Sequence, residues 1–163
     1  MKISLMVLGL ALGTNAMADS NSDCVNKIVE FYGLKENTTK ELNGMNNGKK
    51  CELNVEYRKM ISGLNNKESN TVFFYLNVES EDGNMMKGVW SEISSNEDDR
   101  SYSVSKCEVK DNQLVINFKS KEKNGWKKHY RTEIVSSDKS VSIKEKVSGF
   151  WVSSFKESQN CQF

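Results

Sequence analysis

The chain has 163 residues, with 23 Lys and Arg against 22 Asp and Glu, four Cys and no Pro. A formal net charge near zero excludes bulk attraction to nucleic acid or anionic membrane, so no nucleic-acid partner is expected. Beyond the N-terminus no apolar run is long enough to cross a bilayer as a helix, so no transmembrane segment is expected after it.

The opening "MKISLMVLGLALGTNAMADS" combines a basic Lys2, an apolar run from Ile3 to Leu12 and the small-residue pattern Ala16-Met17-Ala18. It reads as a secretory signal peptide over residues 1–18, cleaved after Ala18. Residues 19–163 then form a single disulfide-bonded β-rich domain, secreted or periplasmic, without a Cys at the cleavage site to carry a lipid.

Cys24, Cys51, Cys107 and Cys161 are even in number and contain no CxxC pair, which favours disulfides over a zinc site. No metal or cofactor is expected. Spacing alone leaves three connectivities open. The preferred one joins Cys24 to Cys51 and Cys107 to Cys161, tying each terminal segment to the sheet.

In "SNSDCVNKIVEFYGL", Val25, Ile28, Val29 and Tyr32 recur at helical spacing, Ser20 with Asp23 resembles a capping box, and Gly33 supplies a left-handed stop. One short helix follows. A weaker box, Thr38 with Glu41, precedes an Asn/Gly-rich loop.

From Cys51 the apolar period becomes two. An Asp82-Gly83 turn pairs Leu76 with Val89, Val72 with Ile93 and Tyr75 with Trp90. Around Gly125, a three-residue Lys123-Asn124-Gly125 loop sets Phe118 opposite Tyr130 and Leu114 opposite Ile134, which suits a buried face better than a two-residue turn. The loop from Ser137 to Ser140 pairs Ile134 with Ile143, Tyr130 with Val147 and Trp126 with Trp151. Tyr102 and Val104 differ in parity from Cys107 and Val109, so a bulge near Ser105 and Lys106 is needed if all four look inward. The expected fold is mainly β (β-rich α+β), an antiparallel meander of about seven strands with a long last strand, curved or closed into a barrel, plus the N-terminal helix.

Phe73, Tyr75 and Trp90 face away from the Val72 and Phe74 side. The favoured cover is the helix stripe, and the alternative is a protein partner, since open apolar patches are rare on a monomer.

Motifs for catalysis are absent: there is no GxSxG, HExxH, P-loop or GxGxxG. His129 points outward among cations and lacks an orienting carboxylate. Glu145 lies on the inward parity opposite Thr132, so it should bond Thr132 and a cation such as Lys106, or face a wet cavity. Glu97, Asp98 and Asp99 are oxygen donors without calcium-loop spacing. Lys119, Lys121, Lys123, Lys127, Lys128 and Arg131 form a basic stretch locally opposed by Glu122, a pattern that also discourages edge pairing.

The functional expectation is an exported, non-catalytic binding protein for a small amphiphile, glycan or other anionic ligand. It uses either a calyx or the hairpin end formed by Trp126, Trp151, Lys128, Tyr130 and Glu145. The alternatives are an envelope interaction or inhibitor protein using Phe73, Tyr75 and Trp90, and a secreted hydrolase using Glu145 or loop carboxylates.

Overall fold

A computed structural model describes residues 21–61, 66–83, 85–95, 100–122, 128–149 and 155–163. Its elements are α1 (Asn21–Tyr32), β1 (Thr38–Asn46), β2 (Lys49–Ile61), β3 (Glu68–Glu79), β4 (Met85–Ser94), β5 (Arg100–Lys110), β6 (Gln113–Glu122), β7 (Lys128–Ser137), β8 (Ser140–Gly149) and β9 (Phe155–Gln162). Among the described residues the fold is mainly β, with one helix and nine antiparallel strands in a single sheet that does not close.

Two strands exceed the expected seven. The Thr38–Glu41 segment belongs to β1, not to a helix start, because Asn47 and Gly48, at φ 50° and 82°, turn the chain tightly into β2. The long last strand is two, β8 and β9, paired antiparallel from Ser140↔Gln162 to Val147↔Phe155.

The sheet order is β4-β3-β2-β1-β9-β8-β7-β6-β5. Two meanders therefore meet between β1 and β9, where the ladder has the single register pair Met45↔Gln162. So short a ladder lets the sheet fold over at this corner, and β4 lies against β8 and β9 across the core. The corner also fixes one disulfide. Cys51 on β2 and Cys161 on β9 are bonded with Cα atoms 5.8 Å apart, and Cys24 on α1 bonds Cys107 on β5 at 5.5 Å.

Both expected pairings are thus wrong. Cys24 and Cys107 meet because the helix leans on β5, and Cys51 and Cys161 meet because the sheet folds between them. Gly44 sits opposite Cys51 at this fold. A Cβ there would overlap the carbonyl oxygen of Gln162 and approach Cys161 Sγ to 3.0 Å.

α1 buries Cys24, Val25, Ile28 and Tyr32 against the inner face. Gly33, at φ 64°, ends it with Gly33 N donating to Glu30 O (3.1 Å) and Leu34 N to Val29 O (2.9 Å), the paired bonds of a left-handed helix stop. The helix bridges the unpaired edges β4 and β5. Asn21 Nδ2 donates to Tyr102 O (3.3 Å) and Lys27 Nζ to Cys107 O (3.0 Å), while Tyr102 Oη donates across the seam to Glu92 Oε1 (2.6 Å).

At its far end Tyr32 Oη donates to Ser136 Oγ (2.7 Å), and its ring meets Phe74 edge-on at 6.2 Å. Burial pushes the Tyr32 phenol far above its ordinary range, partly offset by the bond to Ser136.

The β3–β4 register agrees with expectation from Thr71↔Ser94 to Val78↔Lys87, then slips at Glu79. The expected β5 bulge lies between Val104 and Lys106, although Val109 beyond it is 49% exposed. The β6–β7 register differs by two residues. Phe118 faces Thr132 and Ile116 faces Ile134, leaving a longer connection than the bulged loop. A two-residue shift keeps the same face inward, and it stacks Cys107, Ile116, Ile134 and Ile143 into one buried layer across four strands.

Candidate functional site

Among the described residues the inner face is a packed core. Phe74, Ile28, Leu53, Leu76, Ile93, Leu114, Ile116, Ile134 and Ile143 are all fully buried there. Trp126 and Trp151 lie outside the described residues, as do Glu97, Asp98 and Asp99. Lys128 opposite Gly149, Tyr130 opposite Val147 and Glu145 opposite Thr132 follow one another along the inner face and are half-buried.

Lys106 does not serve Glu145. Its Nζ is 2.7 Å from Glu108 Oε1 on its own strand. The other register neighbour of Glu145 is Glu157 on β9, a juxtaposition invisible while β8 and β9 read as one strand. His129 alternates with Tyr130 onto the outer face, so no imidazole–carboxylate pair forms with Glu145.

Phe73, Tyr75 and Trp90 do not lie under α1, because the helix covers the Phe74 side of β3. On the outer face Phe73 and Tyr75 stack at 6.3 Å, and Arg58 Cζ stands 5.8 Å from the Phe73 ring centroid. Phe73 is 9% exposed, whereas Trp90, opposite Tyr75, is 40% exposed. Glu56 and Glu92 flank Phe73 in register.

The outer face of the other meander is basic. Ser103, Lys119, Arg131, Lys146 and Lys156 stand directly opposite one another on β5 to β9. In the adjacent row come Ser101, Lys121, His129 and Ser148. On the other side are Lys106, Asn117, Glu133 and Lys144, with Lys144 Nζ bonded to Glu133 Oε1 at 2.8 Å. Like charges directly opposite in a ladder are destabilising, so the central row runs against sheet stability.

Two grooves follow this surface. One, of about 380 Å³, is lined by Lys119, Lys121, His129 and Arg131, by Ser101, Ser103, Ser120 and Ser148, and by Tyr102 and Tyr130; among the described residues no carboxylate lines it. The other, of about 430 Å³, shares Lys119 and Arg131 and adds Lys144, Lys146, Asn117, Glu133 and Glu145 among its walls.

Sequence reasoning registered Lys119, Lys121 and Arg131 as one basic stretch but missed Lys144 and Lys146. The parity of β8 held the signal, since both alternate with the inward Ile143, Glu145 and Val147. The near-neutral total also conceals the asymmetry. Residues 100–163 carry 13 Lys and Arg against 7 Asp and Glu, and residues 19–99 carry 9 against 15.

Compared with known proteins, the chain matches no family model, no curated protein and no solved structure.

Proposed function

We propose that this chain is an exported, non-catalytic binding protein for an anionic ligand, which it takes at the groove of β5–β8 lined by Lys119, Lys121, His129 and Arg131. The observation that supports this reading is the groove's composition, cations and serine hydroxyls with no carboxylate among the described residues. Cations neutralise sulfate, phosphate or carboxylate, and hydroxyls complete their hydrogen bonding. Two disulfides suit the oxidising compartment that export implies.

His129 is the sole histidine, so its imidazole NMR signals report on this groove alone. Titration with sodium sulfate at constant ionic strength should shift those signals saturably, and Lys121→Ala should weaken the fitted affinity about fivefold, near 1 kcal/mol. A linear, unsaturating drift identical in Lys121→Ala would remove the reading.

A protein-binding role has its own support in Trp90, exposed beside Tyr75 and the Phe73 stack with acidic flanks. Such aromatic anchors are typical of interface centres.

A further inference from the structure

We infer that the natural ligand of the basic face is a linear anionic polysaccharide laid across the strands, an inference that rests on the anion groove proposed above. Lys119, Arg131 and Lys146 stand in register on three neighbouring strands. Strands in a sheet are about 4.8 Å apart, so the outer two cations are separated by roughly 10 Å at the backbone. A single sulfate or phosphate spans neighbouring cations at most. A ligand that uses the whole row carries several anionic groups, repeating at intervals of about 5–10 Å.

The two grooves adjoin at Lys119 and Arg131, so a path along the surface runs from Lys121 and His129 at one side to Lys144 and Lys146 at the other. None of Lys119, Arg131 and Lys146 makes an ion pair among the described residues; of the two carboxylates that line the path beside them, Glu133 is held by Lys144, and Glu145 lies on the inward parity of β8. A row of like charges directly opposite one another is costly for the sheet and becomes favourable when a polyanion displaces its counterions.

The neutral groups on the path favour a sugar chain over a nucleic acid. Ser101, Ser103 and Ser148 line it, and Asn117 Oδ1 is buried beside it without a hydrogen-bond donor. Sugar hydroxyls pair with the serine hydroxyls that line the path. Bases require open aromatic faces on which to stack. Of the two tyrosines that border the path, Tyr102 is 7% exposed with its hydroxyl committed to Glu92, and Tyr130 is half-buried, so neither offers an open face.

The test is calorimetric titration of the disulfide-bonded protein with dextran sulfate, unsulfated dextran, free sulfate and a single-stranded oligonucleotide matched in charge to the dextran sulfate. Dextran sulfate should bind most tightly. Its logarithmic affinity should fall with logarithmic salt at a slope near −2, as expected for three cations at about 0.7 each. Lys146→Ala should lower the affinity about fivefold and flatten the slope, whereas Lys139→Ala, in the β7–β8 turn, should do neither. Lys146→Glu should abolish binding while raising the melting temperature, so loss of fold is not the cause.

Equal binding by Lys146→Ala and Lys139→Ala would overturn the transverse path, as would dextran binding without sulfate. An oligonucleotide that binds as well as dextran sulfate would overturn the polysaccharide assignment. Saturable sulfate binding without polymer preference would leave the anion groove standing and reject this inference alone. Failure of sulfate and polymer alike would reject both.

Discussion

The outer face of β2–β4 carries Phe73, Tyr75 and Trp90 framed by Glu56 and Glu92, whereas the outer face of β6–β8 carries Lys119, Arg131 and Lys146 with Glu133 already committed to Lys144. Their inner faces are much alike, a run of buried Val, Ile, Leu and Phe. Packing dictates the inner positions, because each must exclude water and fill the same core. Outer positions are free of that demand, so chemistry has diverged there. Charge also acts locally, since salt screens it over about 8–10 Å. A near-zero total therefore says nothing about a single patch, and excluding bulk attraction to nucleic acid or anionic membrane from net charge was sound only for the molecule as a whole.

The strongest way to break the comparison is to release the corner that joins the two meanders. Removing Cys51–Cys161, which closes a separation of 110 residues, should cost about 4–5 kcal/mol in the chain-entropy model. Urea unfolding of the Cys51→Ala/Cys161→Ala double variant measures it. A loss below about 1 kcal/mol would mean that the corner is held by packing alone.

Gly44→Ala attacks the same corner without touching the covalent bond. Its Cβ meets the backbone of Gln162, which cannot rotate away, so a loss of about 2–3 kcal/mol is expected by denaturant titration. The effect should shrink if β9 can shift off β1, a move that the single register pair would allow.

Tyr32 tests the helix that spans both halves, bonded to Ser136 on β7 and packed on Phe74 of β3. Its folded-state pKa is raised by burial, so the neutral phenol is the form that the fold stabilises. The contribution is complete below the unfolded value, about pH 10, and is lost progressively as pH climbs from there toward the folded value. Stability should decline from about pH 10 upward, and Tyr32→Phe should flatten that decline while losing about 1 kcal/mol at neutral pH, where Ser136 is left without its partner. Parallel pH profiles for the two proteins would show that another group governs the alkaline transition.

The smallest effect sharpens the comparison. Arg131→Gln, between Lys119 and Lys146, should raise stability by about 0.2–1 kcal/mol, more at low salt. The equivalent neutralisation in the other half, Glu92→Gln, should lower it, because Tyr102 donates to that carboxylate across the seam. If Arg131→Gln leaves stability unchanged or lowers it, the basic row is not electrostatically strained.

The helix, its Gly33 stop, the β3–β4 and β7–β8 registers and the β5 bulge were legible in the sequence, since each rests on contacts within a few residues or across one tight turn. Strand β1 was missed although Asn47-Gly48 marks its hairpin, because its burial is weak and Thr38 and Glu41 mimic a helix start. The β6–β7 register was misjudged by two residues because parity fixes the face and not the step along it. The candidate site was legible as a basic stretch and no further.

What the sequence alone determined was the alternation of each strand, the helix stripe and an even set of cysteines, all local consequences of side-chain period and chemistry. Tertiary structure alone decided that β1 meets β9, that Cys51 reaches Cys161, that α1 covers Phe74 rather than Phe73, and that lysines from separate strands form one row. Those outcomes depend on which distant surfaces lower the free energy by meeting, a sum over the whole core that no single stretch of chain contains.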